Sequence, residues 1–151
     1  MSGSLRVLIL EDDEQRITEF RRRFQELERA TSARCQVRFV RHVAEAIESL
    51  QARSYDAVLL DHDLNGTSGT DRAEADTGSA LVRWMASGGV GEPTGRILIH
   101  SLNRRGAQHM ADLLGAAGIE AECFPRLWKE SVFREAFADQ FEGADDSGDG
   151  D

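Results

Sequence analysis

The strongest constraint on the fold of this chain is a run of four apolar residues that leads directly into four acids. Val7–Leu10 is the apolar run, and Glu11–Glu14 is the acidic run that follows it. A continuous apolar run of this length predicts a strand that is buried on both faces, as in a parallel sheet. Ligands bind beyond the carboxyl ends of strands in open α/β sheets. The acids therefore form one half of a candidate site.

The same pattern occurs twice more along the chain. The apolar run Ala57–Leu60 leads into Asp61–Asp63, and the apolar run Ile97–Ile99 leads into His100–Asn103. If the strands are parallel neighbours, the polar groups that follow them meet at one edge of the sheet. The sequence therefore predicts a site built from three separate segments.

Helical spacing of apolar residues separates the predicted strands. The first predicted helix runs from Glu14 to about Arg29, and its apolar face consists of Ile17, Phe20, Phe24 and Leu27. Strands are predicted at Leu5–Leu10, Cys35–Val40, Ala57–Leu60, Arg96–His100 and Glu120–Phe124. Five β-α units in succession predict an α/β fold, with a parallel sheet covered by helices on both faces.

Length and charge limit the classes of function. The 151 residues suit one domain, predicted over residues 1–142, and the acidic tail 143–151 is predicted to be disordered. The formal net charge is −9, and without the four tail aspartates it is −5. An acidic body argues against nonspecific nucleic-acid binding. No apolar run is long enough to cross a membrane and no signal sequence is evident, so we expect a soluble, cytoplasmic protein.

Two other features of the sequence are a pair of cysteines and a long polar segment. Cys35 and Cys123 lie in separate predicted strands without metal-ligand spacing, so both are predicted to be small core residues. The polar segment 65–76 is longer than most connections in α/β units. It could be a lid, a binding loop or a tolerated insertion, and the sequence does not decide between them.

The three strand-end segments resemble the receiver domain of response regulators. The resemblance is carried by Val7–Asp13, Asp56–Asp61 and Ile97–Ser101, and it extends over roughly Leu5 to Phe141. It implies a flavodoxin-like fold with strand order 2-1-3-4-5. Strands one and three are neighbours in that order, which would bring the first two acidic segments together.

The resemblance also implies roles for individual residues. Glu11 and Asp12 match the acid pair that helps to hold Mg²⁺ or another divalent cation. Asp61 matches the aspartate that accepts a phosphoryl group, and Ser101 matches the hydroxyl residue that contacts that group. Oxygen ligands suit Mg²⁺, and the ion would let an anionic carboxylate approach an anionic phosphoryl group. The implied partners are a histidine kinase or a phosphotransfer protein.

Two departures weaken the receiver interpretation. Receivers carry a lysine before a proline after strand five, but Phe124 precedes Pro125 here, and the only lysine of the chain is Lys129. A phosphorylated Asp61 would therefore lack one partner for its charge unless Arg126 or Lys129 replaces it. The aromatic residue usual in strand five is also missing, because Ala121 falls at that place.

Two histidines instead suggest a divergent receiver group. The motifs Leu60–Leu64, Thr77–Gly78 and His100–Asn103 resemble those of the cyclic-phosphate-processing receiver domains. That group implies metal-dependent opening or hydrolysis of a cyclic phosphate, a small phosphate-containing ligand, and an active site that includes His62 and His100. An imidazole can act as general acid or base, or as a metal ligand.

The function remains open between a phosphorylated switch and a phosphoesterase. The candidate metal ligands are Glu11, Asp12, Asp61 and Asp63, and the candidate catalytic residues are Asp61, His62, His100, Ser101 and Asn103. Structural roles are the alternative for several of the polar residues. His62 could hydrogen-bond the following loop, Ser101 and Asn103 could cap the next helix, and Asp13 and Glu14 could complement a helix dipole.

Overall fold

The structure, a computed structural model, describes residues 4–63, 77–88 and 95–142. Strands and helices alternate along the chain from the first strand to the last helix. The elements are β1 Ser4–Leu10, α1 Glu14–Ala30, β2 Arg34–Val40, α2 Val43–Ala52, β3 Ala57–Leu60, α3 Gly78–Ala86, β4 Arg96–Ile99, α4 Arg104–Ala116, β5 Glu122–Cys123 and α5 Glu130–Ala136.

The five strands form one parallel sheet in the order β2-β1-β3-β4-β5. In register, Leu10 lies beside Leu60 and Leu60 lies beside Ile99. The three central strands therefore end at the same level, and the residues that follow them share one edge of the sheet. This arrangement confirms the predicted flavodoxin-like fold.

The core has two layers because successive side chains of a strand point to opposite faces of the sheet. Leu8 and Leu10 pack on one face with apolar residues of α2, α3 and α4. Val7 and Ile9 pack on the other face with aromatic residues of α1 and α5. Each fully buried aliphatic or aromatic side chain contributes about 2 kcal/mol to folding. The central strands are consequently a rigid support for the groups at their ends.

Most predicted elements match the observed bounds, and the exceptions lie at the end of the chain and the sheet edges. β5 comprises only two residues, and α5 ends at Ala136 before further helical turns over 138–142. The prediction that both cysteines are core residues is wrong, because Cys35 is half-buried and Cys123 is exposed. Both lie in edge strands, where one side of the strand is open to solvent.

Some predictions fall outside the described residues. The polar segment 65–76 and the acidic tail are in this group, and the assignment of residues 1–142 to a single domain stays a prediction. Within the described part of the chain, no helix combines the length and the apolar character that crossing a bilayer requires.

Candidate functional site at the carboxyl ends of the central strands

The centre of the site is a buried cluster of Glu11, Asp61 and His100. Each residue follows the last residue of a central strand, so the parallel register brings the three together. Their ligand atoms all lie within 4.8 Å of one another. Nε2 of His100 lies 2.9 Å from Oε1 of Glu11, and both side chains are completely buried. Two acids and an imidazole therefore share one solvent-excluded point.

The carboxylate of Glu11 is held in place from two sides. Its Oε2 accepts backbone N–H groups from Asp12 and Asp13, each at 3.1 Å. Its Oε1 accepts from His100. Hydrogen bonds to both carboxylate oxygens therefore hold the Glu11 side chain in one orientation at the end of β1.

The start of α1 brings a cation to this cluster. Asp13 caps the helix, because its side chain accepts the backbone N–H of Arg16 at 3.0 Å. The Arg16 guanidinium lies 3.5 Å from Oδ2 of Asp61 and 3.9 Å from Oε1 of Glu11. It also stacks over the ring of Trp128, 4.5 Å from the centroid. Arg16 therefore bridges both acids.

Sequence reasoning missed Arg16. The resemblance to receivers points instead to the segment after strand five, where receivers place their lysine. There, Arg126 and Lys129 are exposed, and neither forms an ion pair with Asp61 in the described part of the structure. A signal was available, because Arg16 lies in the first turn of a helix that begins directly after the acidic run.

Asp61 is 2 % exposed, and its environment acts on its charge in opposing ways. Burial, above all, raises the pKa of its carboxyl from 3.8 to about 6, and the negative charge of Glu11 adds to this rise. His100, Arg16 and a hydrogen bond from the Ser101 hydroxyl act to lower the pKa. A divalent cation at the same place would favour the ionised carboxylate further.

His100 is enclosed by aromatic rings. Phe20 lies edge-on with a centroid separation of 5.0 Å, and Trp128 lies edge-on at 6.1 Å. The Nδ1 atom of His100 is buried and has no hydrogen-bond partner among the described residues. Trp128, which follows strand five, therefore packs beside the buried imidazole.

His62 belongs to a second cluster. Its Nδ1 lies 2.7 Å from Oδ1 of Asp63, and the amide of Asn103 donates to both Asp63 oxygens at 3.2 and 3.3 Å. Asn103 also caps α4, because its Oδ1 accepts the backbone N–H of Gly106 at 2.9 Å. The capping role and the contact with the histidine therefore coexist in one residue.

Two glycines permit this packing. The N–H of Gly78 donates to the carbonyl of His62 at 3.0 Å, and a Cβ on Gly78 would lie only 2.2 Å from the carbonyl oxygen of Asp61. A Cβ on Gly106 would lie 2.6 Å from the ring of His62. Both glycines are required by close approach to the segment that carries Asp61 and His62.

The structure thus divides the predicted site residues into two groups. The first group is the buried cluster around Glu11, which includes Asp61, His100 and Ser101. The second group consists of His62, Asp63 and Asn103, which contact one another. Asp12 is half-buried beside Glu11, and neither it nor Asp63 belongs to the three-residue cluster of possible metal ligands. Two buried carboxylates with an imidazole beside them are a donor set that fits a divalent cation.

Comparison with known proteins places these features in a family. Residues 7–116, well over half of the chain, match the family model described as cyclic-phosphate processing receiver domain. No curated protein matches the chain.

Solved structures with the same fold are receiver domains of low sequence identity. A CheY-like receiver domain from Methylobacillus flagellatus shares 16% identity, with a TM-score of 0.60, over 90% of this chain and 98% of its own. The receiver domain of a Pseudomonas aeruginosa sensor histidine kinase, solved with a magnesium ion coordinated in the active-site cleft, shares 17% identity, with a TM-score of 0.61, over 92% of this chain and 98% of its own. The family match, the strand order and the acid cluster agree, and the chain belongs to the cyclic-phosphate processing receiver domains.

Proposed function

We propose that this chain is a signalling receiver domain that binds a divalent cation and accepts a phosphoryl group on Asp61. The observation that carries the proposal is the convergence of Glu11, Asp61 and the Ser101 hydroxyl at the ends of three adjacent parallel strands. A carboxylate nucleophile beside a second acid and a hydroxyl donor suits acyl phosphate formation. The magnesium-bound sensor-kinase receiver of the same fold supports the same assignment.

Each residue of the cluster would have a separate role. Glu11 and Asp61 would hold the cation, and His100 keeps the Glu11 carboxylate oriented through the 2.9 Å hydrogen bond. The bound cation would neutralise charge on the entering phosphoryl group, and Mg²⁺ is the first candidate. Ser101 would donate its hydroxyl to a phosphoryl oxygen, as it does to Asp61 in the present arrangement.

Arg16 would replace the lysine of other receivers. Its guanidinium lies 3.5 Å from Oδ2 of Asp61, so a phosphoryl group on Asp61 would add negative charge close to it. Guanidinium groups pair well with phosphoryl oxygens because several N–H donors lie in one plane. The phosphoryl donor would be a histidine kinase or a phosphotransfer protein, in keeping with the receiver fold.

Beryllium fluoride, which mimics an acyl phosphate, tests this function. With Mg²⁺ present, we expect saturable changes in the amide NMR spectrum centred on Glu11, Asp61 and Ser101, and we expect none for Asp61→Asn. Asp63→Asn is the matched control because Asp63 also follows β3 but bonds to His62. Perturbation of Asp61→Asn equal to that of the wild-type chain would rule out Asp61 as the acceptor.

A second candidate function is metal-dependent hydrolysis of a cyclic phosphate. It is favoured by the description of the family and by the 2.7 Å contact between His62 and Asp63. A carboxylate beside an imidazole fixes the orientation of the ring, which suits a general base. Water would attack phosphorus, one ester P–O bond would break, and the leaving oxygen would take up a proton.

Turnover of a 2′,3′-cyclic nucleotide with Mg²⁺ or Mn²⁺ tests the second candidate. Activity that is lost in His62→Ala and kept in His109→Ala would establish it, because His109 is exposed on α4. The absence of turnover with any divalent metal, while beryllium fluoride still binds, would leave the phosphorylated receiver as the function.

A further inference from the structure

We propose that a second site, at the opposite end of the sheet, binds a phosphomonoester of mononucleotide size. A cleft of about 570 Å³ lies between β2 and the carboxyl-terminal half of α2, and its lining includes Arg6, Arg38 and Arg53. Arg6 precedes Glu11 by five residues of extended chain, which is roughly 17 Å. The proposal therefore stands independently of the function proposed for the acid cluster.

The sheet register directs two of the arginines to the same side. Arg6 lies beside Gln36, and Arg38 lies two residues further along β2, so the side chains of Arg6 and Arg38 share one face of the sheet. Arg38 Nε donates to Ser49 Oγ at 2.8 Å, and an Arg6 terminal nitrogen donates to the Ser54 carbonyl at 3.3 Å. These neutral partners orient the guanidinium groups without neutralising their charge.

The three arginines differ from most arginines of α1, β4 and α5. Arg23, Arg96 and Arg134 form ion pairs with glutamates, whereas Arg6, Arg38 and Arg53 form none within the described ranges. Three cations thus converge on one cleft of a chain that has 27 acids and 18 basic residues. Glu48 is the one acid in the lining, which leaves an excess of positive charge there.

An unused donor strengthens the argument for an anion. Nε of Arg6 is buried and has no hydrogen-bond partner among the described residues. A buried donor without a partner is unfavourable, so the Arg6 guanidinium retains the capacity for a further acceptor. Guanidinium groups bind phosphate oxygens through paired N–H donors, so a phosphoryl group is the anion that several converging arginines fit best.

The dimensions and the wall of the cleft indicate an organic phosphate. A volume of about 570 Å³ lies within the range of about 300–1,000 Å³ typical of small-molecule sites. Tyr55 and Ala52 add aromatic and aliphatic surface beside the arginines. Such surface would contact a sugar or base attached to the phosphoryl group.

NMR titration of the full chain, with a chelator present to keep divalent cations away, tests the proposal. The probes are a nucleoside 5′-monophosphate, ribose 5-phosphate and inorganic phosphate. We expect saturable shifts for the mononucleotide at the amides of Gln36, Arg38 and residues 52–55, and at the Nε–H signals of Arg6 and Arg38. Arg53→Gln should weaken binding by about tenfold, the loss expected for one charge-assisted hydrogen bond. Arg105→Gln, on α4, removes the same charge elsewhere and should have no effect.

Three results would overturn the proposal. The first is the absence of saturable shifts at these residues up to several millimolar mononucleotide, and the second is equal weakening by Arg53→Gln and Arg105→Gln. The third is inorganic phosphate binding as tightly as the mononucleotide, because the organic part of the ligand would then contribute nothing. Tighter binding of the mononucleotide than of ribose 5-phosphate would support contact with the base.

Discussion

Nε2 of His100 lies 2.9 Å from Oε1 of Glu11, and solvent reaches neither side chain. The two residues come from the ends of β4 and β1, which are separated in the sheet by β3. Asp61, at the end of β3, lies between them in the strand order. This contact therefore spans the central strands and fixes the orientation of one acid at the site.

Removal of one partner should cost more than removal of both. His100→Leu leaves the Glu11 carboxylate buried without its imidazole, so we expect the free energy of unfolding to fall by about 3 kcal/mol. The double variant Glu11→Leu with His100→Leu replaces the pair by apolar groups and should lose less than His100→Leu alone. Urea unfolding in the presence of a chelator measures both. A double variant whose loss equals or exceeds that of His100→Leu alone would contradict this account.

The raised pKa of Asp61 predicts that stability falls as pH rises. Burial raises the pKa of its carboxyl to about 6 in the folded chain, so folding favours the protonated form. This contribution is fully present below the unfolded value of 3.8 and is lost as pH rises through about 6. Asp61→Asn stays neutral, so without divalent cations it should exceed the wild-type stability by up to about 3 kcal/mol at neutral pH.

The difference between the two chains should vanish well below pH 3.8, where the carboxyl is protonated in both the folded and the unfolded chain. Thermal unfolding across this pH range provides the measurement. Asp112→Asn, which alters an exposed carboxyl on α4, should leave the pH dependence unchanged. If the difference in stability between the wild-type chain and Asp61→Asn is the same at both ends of the pH range, the Asp61 carboxyl is not desolvated.

Arg16 should affect phosphoryl and metal binding in opposite directions. Arg16→Gln removes the cation 3.5 Å from Asp61, so the affinity for beryllium fluoride should fall by about tenfold. The affinity for Mg²⁺ should rise, because the guanidinium and the ion neutralise the same carboxylates. Isothermal titration of each ligand measures the two effects. Arg21→Gln is the control, because Arg21 stacks on Phe39 at 5.0 Å in a similar way but away from the acids. If Arg16→Gln and the wild-type chain bind beryllium fluoride and Mg²⁺ with equal affinities, Arg16 has no role in the site.

Two glycines of α4 should respond oppositely to alanine. A Cβ on Gly106 would lie 2.6 Å from the His62 ring, so Gly106→Ala should displace the imidazole and cost about 1–3 kcal/mol. Gly115 is in the same helix with nothing within 4 Å of a new Cβ, so Gly115→Ala should be neutral or stabilise by up to about 1 kcal/mol. Denaturant unfolding and the His62 ring signals in NMR spectra report the two effects. An unchanged His62 spectrum in Gly106→Ala would contradict the packing described for this cluster.

The sequence predicted the elements whose pattern is strong. β1 and β3 are continuous apolar runs, and α1 has a complete apolar face, so their bounds agree with the structure to within a residue. The predicted β5 is longer than the observed strand, because only Glu122 and Cys123 pair with β4. The exposure of Cys123 follows from the edge position of this strand.

The sequence predicts which strand ends carry the site, but it does not predict which side chains contact one another there. His100 contacts Glu11, whereas His62 contacts Asp63. The alternation of side chains along a strand does not predict these contacts, because residues beyond the end of a strand leave its regular geometry. Arg16 was overlooked because its contact with Asp61 depends on the angle at which α1 leaves β1. Neither the pleat nor the helical period encodes that angle.

The most direct test of the central claim is the intact mass of the chain after incubation with acetyl phosphate and Mg²⁺. Phosphorylation of Asp61 should add about 80 Da to the wild-type chain. The gain should disappear with a chelator and in Asp61→Asn, and it should remain in Asp63→Asn. An unchanged mass under conditions where Mg²⁺ binding is demonstrated, or a gain that persists in Asp61→Asn, would contradict the claim that this acid cluster supports phosphoryl transfer to Asp61.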